Sequence, residues 1–195
     1  MNTETIKQAV SLLAVVLTFI AYIPYYRDII RGKMHPHVYS WMLWGLLGIL
    51  IFALQIKGGA GPAAYVTAAV TILCGGVIFL GLKHGKRDIT ASDTVVAALG
   101  LIAMAFWLII DQPVISIILA VLADMLAFIP TVRKSWNKPH SETLSLYVTN
   151  VFRFSLILFA VKEYTILSAL WPIMWIIGNG LFSIMLLYKR GLVMP

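Results

Sequence analysis

Seven long apolar stretches dominate this chain of 195 residues and restrict the folds that it can adopt. Hydrophobic residues make up 61% of the sequence and charged residues only 12%. A helix that crosses a bilayer needs about 20 predominantly apolar residues. By that criterion we predict an all-α integral membrane protein with seven transmembrane helices, over residues 7–26, 38–56, 61–82, 93–110, 113–131, 143–161 and 165–188.

The basic residues are distributed unevenly among the loops between these helices. Cytoplasmic loops of membrane proteins carry an excess of lysine and arginine, which predicts an external N-terminus, a cytoplasmic C-terminus and a location in the plasma (inner) membrane. The net charge of +7 is thus a topology signal, and we expect no nucleic-acid partner. Eleven of the fifteen basic residues fall on the predicted cytoplasmic side: Arg27, Arg31, Lys33, Lys83, Lys86, Arg87, Arg133, Lys134, Lys138, Lys189 and Arg190.

Two charged residues, Asp124 and Arg153, lie deep within predicted transmembrane helices. From the helical rise, Asp124 is about 13 Å and Arg153 about 15 Å from the basic loops, and Asn179 is at a similar depth. An ionisable group at such a depth costs at least about 2.5–3.5 kcal/mol on insertion scales, and such groups mark functional sites. We therefore expect the three side chains to meet in one substrate cavity near the membrane midplane.

These residue types suggest individual roles. Arg153 would fix an anionic group by a bidentate contact, while Asp124 would supply the countercharge or take up a proton during transport. The alternative is a static Asp124–Arg153 ion pair that joins the fifth and sixth helices. Asn150 shares a helix face with Arg153 and would line the path or bond a neighbouring helix. Trp175, one turn before Asn179, would stack on the ligand.

Three further tryptophans lie near predicted helix ends. Trp44 is a candidate for the cavity wall. Trp41 and Trp171 are predicted to belong to the aromatic belts at the membrane surfaces, where tryptophan is enriched.

Residues 21–45 and 127–150 are similar in sequence, at an offset of 106 residues that becomes 105 after a one-residue deletion. This similarity predicts a parallel duplication, with a first three-helix repeat at 1–87, a linker helix at 88–112 and a second repeat at 113–195. Pro24 and Pro130, near the ends of matching helices, are candidate hinges or helix terminators. The matched pairs are Ala21 and Ala127, Ile23 and Ile129, Pro24 and Pro130, Arg27 and Arg133, Lys33 and Lys138, His35 and His140, and Ser40 and Ser145.

These features resemble the PQ-loop superfamily, and especially its SWEET-like (MtN3-type) small-solute transporters. The family's Pro-Gln dipeptides correspond to Pro24-Tyr25 and Pro130-Thr131, where the glutamine is replaced. The segment Gly178-Asn179-Gly180 is similar to the end of the family's last helix, where an asparagine lines the substrate cavity. The resemblance implies a three-plus-one-plus-three helix layout with the N-terminus outside.

We therefore expect a transporter that moves a small polar solute, either a sugar or an anionic or zwitterionic metabolite, by alternating access between the repeats. The alternative is a cargo or ligand receptor of the same architecture that binds without transporting. Retinal is excluded because the last predicted helix has no lysine. The predicted helices hold no nucleophile–base pair or metal-ligand set, so we expect no enzyme, cofactor or metal. The expected partners are the solute and the lipid bilayer, and homo-oligomer formation is left open.

Overall fold

The computed structural model describes residues 2–84 and 112–192, together with positions 91, 94, 95, 98 and 109 between them. The two long ranges form seven α-helices and no β-strand. Short 3-10 turns at Gly61–Ala63 and Pro139–Ser141 precede α3 and α6. The helices are α1 (Thr3–Ile30), α2 (Val38–Lys57), α3 (Ala64–His84), α4 (Pro113–Leu126), α5 (Ile129–Asn137), α6 (Leu144–Ala160) and α7 (Ile166–Leu192).

The described residues include five helical segments that are long and apolar enough to cross a membrane. They are α1, α2, α3 with its preceding turn, α4 taken together with α5, and α7. The apolar helix α6 has 17 residues, at the lower limit of the length that a bilayer requires. The predicted all-helical class is confirmed for the described residues, and the five long apolar segments support a membrane-embedded protein. Most of the predicted fourth transmembrane helix, 93–110, and of the linker 88–112 lies outside the described residues.

The two matching prolines have different backbone surroundings. Pro24 lies inside α1, which continues to Ile30, so Pro24 does not terminate its helix. Pro130 lies in the first turn of α5, after a break at Ala127 and Phe128. Because proline has no N–H and its ring clashes with the carbonyl four residues earlier, the helix cannot continue undisturbed from α4 through Pro130.

The helices pack in the same pattern in the two halves of the described chain. Helix α3 packs against both α1 and α2, and α7 packs against both α4 and α6. Between the halves, α1 packs against α6, and α2 packs against α4. Apolar side chains such as Leu12, Ile72 and Phe152 are exposed on the outside of this bundle. An apolar exterior around a partly polar interior is the distribution expected in lipid, where apolar surface needs no burial.

Hydrogen bonds from helix lysines to loop carbonyls define two opposite ends of the bundle. At the end that holds the loop after α1 and the loop before α6, the Lys134 ammonium donates to the His35 carbonyl at 2.5 Å. We call this end the basic end. At the opposite end, the Lys7 ammonium donates to the Val161 carbonyl at 2.6 Å.

Candidate functional site

A cavity lies inside the bundle between the two halves of the described chain. Helices α1, α2 and α3 line it from one half, and α4, α6 and α7 line it from the other. The structure brings all six predicted substrate-binding residues to its wall: Trp44, Asp124, Asn150, Arg153, Trp175 and Asn179.

Asp124 is held by two tryptophans of α7. Its carboxylate oxygen Oδ2 accepts hydrogen bonds from the indole N–H of Trp171 at 2.8 Å and of Trp175 at 2.6 Å. The carboxylate is 3% exposed and therefore needs these donors. The prediction that Trp171 belongs to an interfacial belt is wrong, because its side chain is buried against Asp124. The carboxylate thus fixes the positions of two aromatic rings.

Trp44 bonds the backbone beside the break between α4 and α5. The amide of Phe128 donates to the carbonyl of Met125 instead of that of Asp124, as the tightened turn before Pro130 requires. The indole N–H of Trp44 donates to the freed Asp124 carbonyl at 3.0 Å. A backbone group buried in a membrane protein must find such a partner. Trp44 therefore joins α2 to α4 across the cavity.

The neighbouring Trp41 is also buried, with 3% of its surface exposed. It lines the cavity, and its ring packs edge-on against Trp44 at 4.9 Å between centroids. The prediction of an interfacial belt position for Trp41 is wrong. Helix α2 turns this side chain inward because its outer face carries aliphatic residues such as Met42 and Leu46.

Two asparagines form an ordered chain of hydrogen bonds. The Asn179 amide nitrogen Nδ2 donates to the carbonyl of Trp175 at 2.7 Å. Its oxygen Oδ1 then accepts from Nδ2 of Asn150 at 3.1 Å. The remaining Asn150 atom, Oδ1, is buried and has no hydrogen-bond partner among the described residues.

Arg153 is buried with 1% of its surface exposed. Its Nη1 donates to Thr18 Oγ1 at 3.1 Å, and its guanidinium carbon lies 4.4 Å from the centre of the Phe154 ring. Its Nε has no partner among the described residues. No Asp124 oxygen lies within ion-pair distance of the guanidinium, so the alternative of a static Asp124–Arg153 bridge is not present in this conformation.

The cavity is small in this conformation. It offers about 40 Å³ to the centres of water molecules, and one water needs about 10–15 Å³ by the same measure. On the side toward the basic end, Tyr147 lines it, with Phe182 edge-on at 4.5 Å and Phe128 stacked at 6.1 Å between ring centroids. The cavity therefore has room for a few waters in this conformation.

A buried ion pair lies beyond this aromatic layer, and the sequence did not indicate it. The Glu142 carboxylate contacts the Lys134 ammonium and accepts from the hydroxyls of Tyr147 at 2.9 Å and Tyr25 at 3.4 Å. The Arg190 guanidinium donates to the Glu142 carbonyl at 2.5 Å. We call these five residues the basic-end lock, because they join α1, α5, α6, α7 and the loop before α6.

Two residues of α1 at this site, Thr18 and Tyr22, were also not singled out as ligand contacts. Thr18 bonds Arg153, and Tyr22 lines the cavity one turn further along the same helix face. Their four-residue spacing within the otherwise apolar stretch 12–24 of α1 is the signal that could have identified them.

Among the described residues, no group of three or more histidine, cysteine, aspartate or glutamate side chains is arranged to hold a metal ion. No protein-family model matches the chain, and no curated protein or solved structure matches it.

Proposed function

We propose that this chain is a SWEET-like transporter of the PQ-loop type, which moves a small polar solute across a cell membrane by alternating access. The observation that carries the proposal is the cavity itself. It lies within a bundle of long apolar helices, is lined from both halves of the chain, and contains two buried polar atoms that have no partner among the described residues, Arg153 Nε and Asn150 Oδ1. Buried polar atoms are normally satisfied, and a ligand would satisfy these two.

The helix contacts support the proposed three-plus-one-plus-three layout. A twofold relation between the repeats requires that α1 and α6 meet in the same way as α4 and α2, and both pairs are in contact. The matched residues agree with this relation. Thr18 corresponds to Asp124 at the 106-residue offset, and Gly48 corresponds to Arg153 at 105. Thr18 contacts Arg153, and Gly48 and Asp124 line the same cavity.

The proposed cycle opens the two ends of the bundle alternately. In the proposed cycle this structure represents the occluded conformation: the basic-end lock holds one end together through the Glu142–Lys134 contact, and the Lys7–Val161 hydrogen bond joins α1 to the end of α6 at the other. Opening toward the basic end requires separation of Glu142 from Lys134. The proposed hinges are Pro24, inside α1, and Pro130, beside the α4–α5 break.

The test of transport is flux of radiolabelled solutes into liposomes that contain the purified protein, over a panel of sugars, amino acids and organic acids. We expect saturable uptake of at least one solute. The double change Asp124→Asn with Arg153→Gln should leave a folded protein without uptake. Ser155→Ala is the matched control, because Ser155 lies on the same helix as Arg153 but is exposed. Ligand binding without flux would favour the receptor alternative.

The proposed orientation places the basic end in the cytoplasm. A protease-sensitive tag at Met1 should then be cleaved from outside intact cells, while a tag at Pro195 should be protected. Protection of the Met1 tag would contradict the seven-helix topology.

A further inference from the structure

We infer that the cavity binds a small monocarboxylate with a hydroxyl or amino hydrogen-bond donor on the carbon next to the carboxylate. The inference rests on the proposed function and specifies its substrate class. Two features carry it, one helical turn apart on α6: within the described part of the chain, the buried Arg153 guanidinium has no acidic partner and the buried Asn150 amide oxygen has no donor.

The contacts of the Arg153 guanidinium indicate an anionic ligand. Arg153 has five N–H donors, and within the described chain only Nη1 meets a hydrogen-bond acceptor. Asp124 faces the same cavity, but its Oδ2 accepts from two indoles and the carboxylate forms no ion pair with Arg153. A buried charge whose partner is missing is strongly destabilising. A ligand carboxylate can supply both the countercharge and two acceptor oxygens for the guanidinium.

The buried Asn150 amide oxygen indicates that the same ligand carries a hydrogen-bond donor. The Trp175 carbonyl orients Asn179, because only the amide nitrogen of Asn179 can donate to it. The Asn179 oxygen Oδ1 therefore points toward Asn150 and accepts a hydrogen bond from the Asn150 nitrogen Nδ2. The Trp175 carbonyl thus fixes the orientation of both amides, so that the atom of Asn150 that remains for a ligand is Oδ1. A carbonyl oxygen can only accept a hydrogen bond. Since Asn150 and Arg153 are one turn apart on one helix face, one small ligand can reach both.

The cavity wall limits the charge and the size of this ligand. Of the described residues, only Asp124 and Arg153 bring charge to the cavity lining, so a second negative group on the ligand would lie near Asp124 with no further cation to balance it. The rings of Phe154 and Trp175 are stacked at 6.1 Å and 10° and give the cavity flat apolar sides. A compact molecule with a single carboxylate fits these limits, whereas a polyol would leave the guanidinium without a countercharge.

The first test uses the unaltered purified protein and isothermal titration with matched probes. Glycolate and glycine carry the carboxylate and the donor, acetate lacks the donor, and glycolamide lacks the charge. We expect acetate to bind about tenfold more weakly than glycolate, the loss of about one hydrogen bond, and glycolamide to bind more weakly still. Comparison of glycolate with glycine distinguishes a hydroxyl from an ammonium donor. Equal binding of glycolate and glycolamide, or no saturable binding of glycolate, glycine or lactate, would overturn the inference.

The second test assigns the two contacts to their residues. Asn150→Ala should weaken glycolate about tenfold and leave acetate unchanged, because acetate has no donor for Oδ1. A merely structural role of Asn150 would weaken both probes equally, which would contradict the assignment. Arg153→Gln should remove the preference for glycolate over glycolamide, and Ser155→Ala should alter neither preference. If a variant does not fold, the comparison of the four probes on the unaltered protein is sufficient to support or overturn the inferred ligand class.

The outcomes separate this inference from the proposed function. Uptake of a neutral sugar into liposomes without carboxylate binding would overturn the inference and leave transport standing. Carboxylate binding without uptake of any solute would leave the ligand class standing and overturn transport.

Discussion

Removing the negative charge of the basic-end lock should destabilise the protein strongly. Glu142→Gln keeps the size of the side chain and an oxygen that can accept from Tyr147, but it leaves Lys134 without its counterion. The two charged side chains are 0% and 7% exposed for Glu142 and Lys134, so solvent screens the pair little. The perturbation therefore tests a charge contact with few other changes.

The expected loss follows from the contacts that remain. Breaking a buried ion pair by removal of one partner costs about 3–5 kcal/mol. Lys134 keeps its hydrogen bond to the His35 carbonyl at 2.5 Å, so we expect the lower end of that range, about 3 kcal/mol of unfolding free energy. The double variant Glu142→Gln with Lys134→Met should recover most of this loss, because neither charge then remains buried.

The assay is reversible unfolding in mixed detergent micelles, followed by circular dichroism. Lys162→Gln is the control, since the Lys162–Glu4 pair is 57% and 63% exposed and should contribute about 0–1 kcal/mol. The reasoning would be refuted if Glu142→Gln were within about 1 kcal/mol of the unaltered protein. A double variant no more stable than Glu142→Gln would refute it equally.

Two further changes test the cavity wall by the same unfolding assay. Gly48→Ala places a Cβ 2.2 Å from Thr71 Oγ1 and should lower the free energy of unfolding by about 1–3 kcal/mol. Adding Thr71→Ala to this variant removes the clashing oxygen and should restore the stability. A double variant as unstable as Gly48→Ala would contradict the proposed clash. Trp44→Phe leaves the Asp124 carbonyl without its donor and should lower the free energy of unfolding by about 1–3 kcal/mol. The control is Trp136→Phe, which should cost less because the Trp136 side chain is 53% exposed. Equal losses for the two variants would show that the Trp44 hydrogen bond contributes nothing.

Hydrophobicity predicted the all-helical class and the bounds of several helices closely. Helices α2 and α6 begin and end within one residue of the predicted bounds, because basic or polar residues flank their apolar stretches. The convergence of Asp124, Arg153 and Asn179 followed from their equal depth alone. Depth restricts a side chain to one layer of the bundle, and a buried polar group then has few directions available to it.

Direction around the helix axis was not predictable in the same way. Trp41 and Trp171 lie near helix ends, where both an interfacial and an inward position suit an indole. The choice depends on partners from distant segments, namely the aromatic cluster for Trp41 and Asp124 for Trp171. Glu142 was missed for a similar reason: it lies in a loop, and its burial requires Tyr25, Lys134 and Arg190 from three separate helices.

The break between α4 and α5 has a consequence for how the sequence can diverge. The acceptor that Trp44 contacts is the main-chain carbonyl of residue 124, so any residue at that position provides it. The donor, by contrast, is a side chain, and a replacement at position 44 must keep an N–H at the same reach. One contact between the two halves thus imposes unequal constraints on its two positions. Selection can change the side chain of residue 124 to suit a new ligand without weakening this contact.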